Sequence, residues 1–144
     1  MDTKMKFKKS LPPLVEGKIH GYLKFVIDEV IWSKKNFGEI RIFLSWWGET
    51  DRTEFRPADI TKDIIRSEEE TTEVYAIRTN INLFEEYIKN CESVELLVVS
   101  KETNIIIGTS QITDLLEILD CKPYFRYVPI MLNYLILLLI SELM

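Results

Sequence analysis

Apolar and polar positions alternate with a period of two along much of this chain. In residues 38–49, GEIRIFLSWWGE, Ile40, Ile42, Leu44 and Trp46 fall on one side, and Arg41, Phe43, Ser45 and Trp47 on the other. Successive strand side chains point to opposite faces, so this spacing predicts a strand. Residues 22–32, YLKFVIDEVIW, are rich in β-branched and aromatic residues and set Leu23, Phe25 and Ile27 on one face. The turn-former cluster SKKNFG separates the two. RTEFRP predicts a short third strand, closed by Pro57, which cannot donate to a ladder. EVYAIRT, SVELLVVS, IIIGTSQI (with a bulge or bend at Gly108), YFRYVPIM and YLILLLIS supply five more.

Helical spacing is scarce. Residues 82–90, NLFEEYIKN, predict a helix with Asn82 as cap, Glu85 three residues later, and an apolar stripe of Leu83, Phe84, Tyr87 and Ile88. DLLEIL predicts a short helix or turn capped by Asp114. ADITKDIIRSEEET predicts a long acidic loop with one helical turn. The expected fold is therefore all-β: an eight-stranded antiparallel β-sandwich with one or two short helices in its connections. Residues 1–9 are expected to form a flexible basic tail and residues 10–144 a single domain.

The greasiest run, Tyr134 to Ile140, needs a separate decision. A membrane-spanning helix takes about 20 apolar residues. This run is shorter, with Asn133 before it and Ser141 and Glu142 after it. It has the length of a strand, and a strand covered on both faces need not alternate. No transmembrane anchor is expected, and no apolar run follows the N-terminal lysines as a secretory signal would require.

Charge narrows the partners. The net charge is −5; the first ten residues carry +3, leaving −8 on the rest. A nucleic-acid binder needs a basic surface to displace counterions, so that class is excluded. Cys91 and Cys121 are scattered, as in a reducing compartment, and with the single His20 they make no zinc spacing. No nucleophile has a base in motif context, and Gly38, Gly48 and Gly108 are isolated, without a phosphate-loop signature. No catalytic residue, metal site or cofactor is expected, and the chain is not expected to be an enzyme.

Taken together, SLPPLVEG (residues 10–17), VIW (30–32), WWGET (46–50), YAIR (75–78) and IIIGTSQI (105–112) form a specific set. The chain resembles a C2 domain, and within that class the N-terminal C2 domains of a centriolar family, C2 domain-containing protein 3. The last thirty residues match only as a generic closing strand. The resemblance implies a protein-interaction or scaffolding module in centriole elongation, distal appendage assembly and ciliogenesis. Its partners would be other centriolar proteins, and its location the cytoplasm and cytoskeleton at the centrosome and cilium base. Family members are much longer, so the chain is expected to be a fragment or a short form.

Many C2 domains hold calcium in loops at one end of the sandwich. Calcium takes six to eight oxygen ligands, mostly carboxylates. Here the corresponding loops are SKKNFG, with no carboxylate, and SKETN, with Ser100 where the pattern has an aspartate. Asp59, Asp63 and Glu68 to Glu70 are expected to form a solvated acidic loop. No calcium site is predicted. The alternative role is that of a peripheral module making weak contact with anionic phospholipid through the loop tips Lys34, Lys35, Phe37 and Lys101. Trp46 and Trp47 are adjacent and point to opposite faces, so one belongs in the core. The other either serves an interface or is covered by the proline-stiffened N-terminal segment through Leu11, Leu14 and Val15.

Overall fold

The computed structural model describes residues 9–32, 38–59, 62–120, 124–129 and 135–143, the last two ranges by their strand path. In chain order the elements are β1 (Lys9–Leu11), β2 (Gly21–Trp32), β3 (Ile40–Ser45), β4 (Thr53–Phe55), α1 (Glu68–Thr71), β5 (Thr72–Ile77), α2 (Ile81–Cys91), β6 (Val94–Ser100), β7 (Ile106–Ile112), a 3-10 stretch (Leu115–Asp120), β8 (Tyr124–Pro129) and β9 (Leu135–Leu143). They form an all-β, C2-like sandwich of two sheets, ordered β1-β5-β2-β9-β8 and β4-β3-β6-β7. Strand neighbours run antiparallel, except that β1 lies parallel to β5.

Eight strands fall where alternation and turn signals put them. The ninth, β1, does not: its three residues lie just before Pro12 and Pro13, too few to show a period. The greasy C-terminal run is β9, hydrogen-bonded on one side to β2 and on the other to β8. Both of its ladders are made, which a strand requires when its backbone is taken from water. No helix among the described residues is long and apolar enough to cross a membrane.

The core lies between the sheets. Leu23, Phe25 and Ile27 of β2 are buried, as are Ile40, Ile42 and Leu44 of β3 and Leu96 and Val98 of β6. Each such side chain contributes about 1.5–3 kcal/mol on leaving water. Trp46 meets Phe25 and Tyr75 edge-on, with ring centroids 6.2 and 5.9 Å away, and Phe25 also tilts against Phe55 at 5.9 Å. Edge-to-face geometry suits ring quadrupoles and adds to simple burial.

Three local expectations are corrected. The cap of α2 is Asn80, not Asn82: the Asn80 side chain accepts from Leu83 N at 2.9 Å. Both asparagines suit a cap, but β5 ends early enough for Asn80 to start the helix. With α2 so placed, Phe84, Tyr87, Ile88 and Cys91 are buried at helical spacing, and Leu83 is exposed. Asp59 is not solvated: it is 2% exposed, and its carboxylate accepts from Trp32 Nε1 at 2.9 Å. β5 pairs with β2 only as far as Val26, which leaves the next part of β2 to another segment on that side. There Ala58 N donates to Asp28 O at 3.0 Å and Val30 N donates to Ala58 O at 2.9 Å, stitching the segment to the strand. The bulge expected near Gly108 occurs, as a register shift opposite Val98 and Val99.

Candidate interaction site

One end of the sandwich gathers the start of β2, the ends of β3, β5 and β7, and the starts of β4 and β6. Three stretches far apart in sequence meet there: residues 10–17, 46–50 and 75–78. They surround an open cleft of about 650 Å³, with Pro13, Leu14 and Val15 on one wall, Glu49 and Asp51 on the other, and Arg78 beside them.

The first wall is a strap. Lys9, Ser10 and Leu11 pair with Tyr75, Ala76 and Ile77, and Leu11 is wholly buried. Pro12 has no N–H to continue the ladder. Arg78 then holds the strap at both ends. Its backbone N donates to Leu11 O (3.2 Å), its Nε to Ser10 Oγ (2.9 Å) and its Nη1 to Gly17 O (2.6 Å). A guanidinium is suited to this, because its donors form a fixed fork.

The second wall is the turn Trp46–Glu49, closed by Glu49 N donating to Trp46 O at 2.8 Å. Gly48 sits at φ +86°, the positive φ that a type II turn requires at its third position. The Glu49 carboxylate accepts from Trp46 N (3.2 Å) and from Lys9 Nζ (3.3 Å), and Lys9 Nζ also donates to Asp51 O at 2.9 Å. Burial raises the Glu49 carboxyl above its usual range; the Trp46 N–H and Lys9 act against that shift. Beneath the turn, the buried Tyr75 hydroxyl donates to Thr53 Oγ1 at 3.0 Å, and burial pushes its phenol far above the usual value.

The two tryptophans divide as their spacing predicts. Trp46 is 2% exposed and Trp47 is 58% exposed. What lies against the Trp47 ring is α2: Tyr87 stacks on it at 5.9 Å and 26°, and the Tyr87 hydroxyl donates to Trp47 O at 2.8 Å. The strap meets the following residues, Glu49 and Asp51, through Lys9. Leu14 is 81% exposed and Val15 is half-buried at the cleft.

At the opposite end, Lys101 is committed to a network. Its Nζ donates to Glu39 Oε2 at 3.0 Å, and Arg66 reaches Glu39 Oε1 at 2.7 Å and Glu70 Oε2 at 3.3 Å. Glu70 in turn accepts from Ser67 N and Oγ, capping α1. Lys101 and Arg66 hold the Glu39 carboxyl below its usual range, and the Ser67 donors do the same for Glu70. Lys34, Lys35 and Phe37 lie outside the described residues. Of the basic tail, the described part is Lys9, which opens β1.

Among the described residues no three His, Cys, Asp or Glu side chains group as a metal site. Burial raises the Cys91 thiol, leaving little thiolate. Sequence reasoning quoted Arg78 within YAIR without giving it a task, and it passed over Lys9, Glu49, Glu39 and Arg66. The pairings that join these residues across the fold span 27 to 68 residues, and no local pattern carries such a pairing.

Two packed sheets, with loops clustered at both ends and a long central β2 between β5 and β9, define a C2-type β-sandwich. The chain belongs to a narrower family: the model of the N-terminal C2 domain of C2CD3 protein matches residues 8–135. It is 36% identical over 111 residues to the human C2 domain-containing protein 3, 34% identical over 111 residues to the mouse protein, and 31% identical over 116 residues to that of Xenopus tropicalis. These matches take in 76–79% of this chain and 5% of each relative, so the chain spans a small part of the relatives' length. Among solved structures it superposes on the tandem C2 domains of Extended-Synaptotagmin 2, with a TM-score of 0.48, 9% identity, and coverage of 99% of this chain and 48% of that one.

Proposed function

We propose that this chain is a non-catalytic, calcium-independent C2 domain that works as a protein-interaction and scaffolding module. Its setting is centriole elongation, distal appendage assembly and ciliogenesis, at the centrosome and cilium base, with other centriolar proteins as partners. The family match over residues 8–135 carries this reading. A built cleft and an exposed tryptophan at one end of the sandwich support binding as the task.

The lipid-binding alternative finds less support. Lys101, the one described residue among the proposed tips, already pairs with Glu39 at 3.0 Å. Localisation of a tagged chain in dividing cells tests the assignment, with a centrosomal focus expected. A plasma-membrane signal, together with co-sedimentation on phosphatidylserine vesicles, would replace it with the lipid-binding role. Micromolar calcium binding in a calorimetric titration would refute calcium independence.

A further inference from the structure

We propose that the face formed by Trp47 and Leu83, over the buried Tyr87, is a docking surface for a lysine- and arginine-rich protein segment carrying an aliphatic side. This deepens the scaffolding role and rests on it.

Three observations lead here. First, Trp47 is an exposed aromatic on a rigid base. Tyr87 stacks beneath it, and Phe84 stacks on Tyr87 at 6.3 Å and 25°. The Tyr87 hydroxyl fixes the turn by bonding to Trp47 O. A large ring held in place loses little freedom on binding, which is why tryptophan recurs at the centres of interfaces. Second, Leu83 is 57% exposed and lies one helical turn before Tyr87, so the two share a side of α2. Aliphatic surface therefore continues from the aromatic pair along the helix.

Third, charge selects the occupant. The connections at this end, residues 12–20, 46–52, 78–93 and 113–120, hold nine carboxylates against four lysines and arginines. With Lys9 of β1, which bonds Glu49 and Asp51 here, the formal charge is −4, most of the chain's −5. Glu86, three residues beyond Leu83 on the same side of α2, is exposed. An anionic bilayer or a nucleic acid meets repulsion here. A basic segment meets attraction at long range and an apolar anchor at contact, the combination that steers association and then holds it.

The test uses the full chain and a labelled amphipathic peptide of about 20 residues, built from leucine and lysine and long enough to cover such a face as a helix. Its controls are the leucine–glutamate counterpart and phosphatidylcholine vesicles with about one-third phosphatidylserine. Anisotropy should show the basic peptide binding at least about tenfold tighter than the acidic one, with affinity falling as salt is raised. In heteronuclear NMR the Trp47 indole signal should move. Those of the buried Trp46 and of Trp32, whose indole bonds Asp59, should stay put. Trp47→Ala and, independently, the surface change Glu86→Lys should each weaken binding about tenfold or more. The proposal is overturned if either variant binds like wild type, if the Trp47 signal stays fixed, if the acidic peptide or the vesicles bind equally, or if Trp47 shifts through self-association seen by light scattering. A chain that still reaches centrioles while failing these tests would sink the docking surface and leave the scaffolding role standing.

Discussion

The two ends of this sandwich settle their charges in opposite ways. At the Glu39 end, Lys101, Arg66, Glu70 and Ser67 close a network in which each ion has a counter-ion or a donor. At the Glu49 end, one largely covered carboxylate is met by a single lysine and a backbone N–H, and the surrounding connections keep a negative excess. A satisfied network leaves little for a partner to gain, whereas uncompensated charge beside an exposed aromatic leaves much. Among the described residues, then, the charges at one end close on each other and those at the other remain available.

Substitutions sharpen this contrast. The largest loss is expected from Trp46→Ala, which empties the aromatic centre under the cleft and should cost about 3–5 kcal/mol by chemical denaturation. Leu11→Ala, which removes the buried knob of the strap, should cost about 2–4 kcal/mol. If it melts like wild type, the strap is not part of the core. Arg66→Met, at the centre of the opposite network, should cost roughly 1 kcal/mol, because its partners are partly exposed and screened. Trp47→Ala should cost less than about 1 kcal/mol, since its ring has only one face covered. A loss as large as that of Trp46→Ala would make the outer tryptophan structural and end the contrast.

Acid provides an independent check with opposite signs at the two ends. Glu39 and Glu70 have lowered folded values. Their stabilisation is complete above the unfolded carboxyl value and is lost as pH falls through the lower folded one. Glu49 has a raised folded value, so folding favours its protonated form. Its contribution is present below the unfolded value and disappears as pH rises through the folded one. At neutral pH, Glu39→Gln should therefore melt below wild type and Glu49→Gln at or above it. Equal behaviour of the two variants in thermal melts across mildly acidic pH would show that the ends do not differ as described.

Local patterns carried much of the architecture. Alternation in β3, turn residues on either side of it, and the strand-length apolar run of β9 were enough to place eight strands, because these signals lie within a few residues of each other. What was not legible depends on distance. Asp59 sits in an acidic stretch and looks solvated until Ala58, bonded to Asp28 and Val30 far earlier in the chain, brings it to Trp32. Asn82, with Glu85 three residues on, looks the better cap, yet the helix starts after Asn80, close behind the end of β5. The converging stretches 10–17, 46–50 and 75–78 could be singled out as motifs, but the Arg78 clasp that unites two of them spans 61 and 68 residues.

The parallel pairing of β1 with β5 has a mechanical consequence. Traction on the chain at Lys9, directed along the sheet, loads the three paired residues at once in shear, and the Leu11 plug and the Arg78 fork resist beside them. Parallel ladders space their bonds evenly, so the load is shared instead of peeling them off singly. Pulled this way, the strap would hold until its three pairs gave way together.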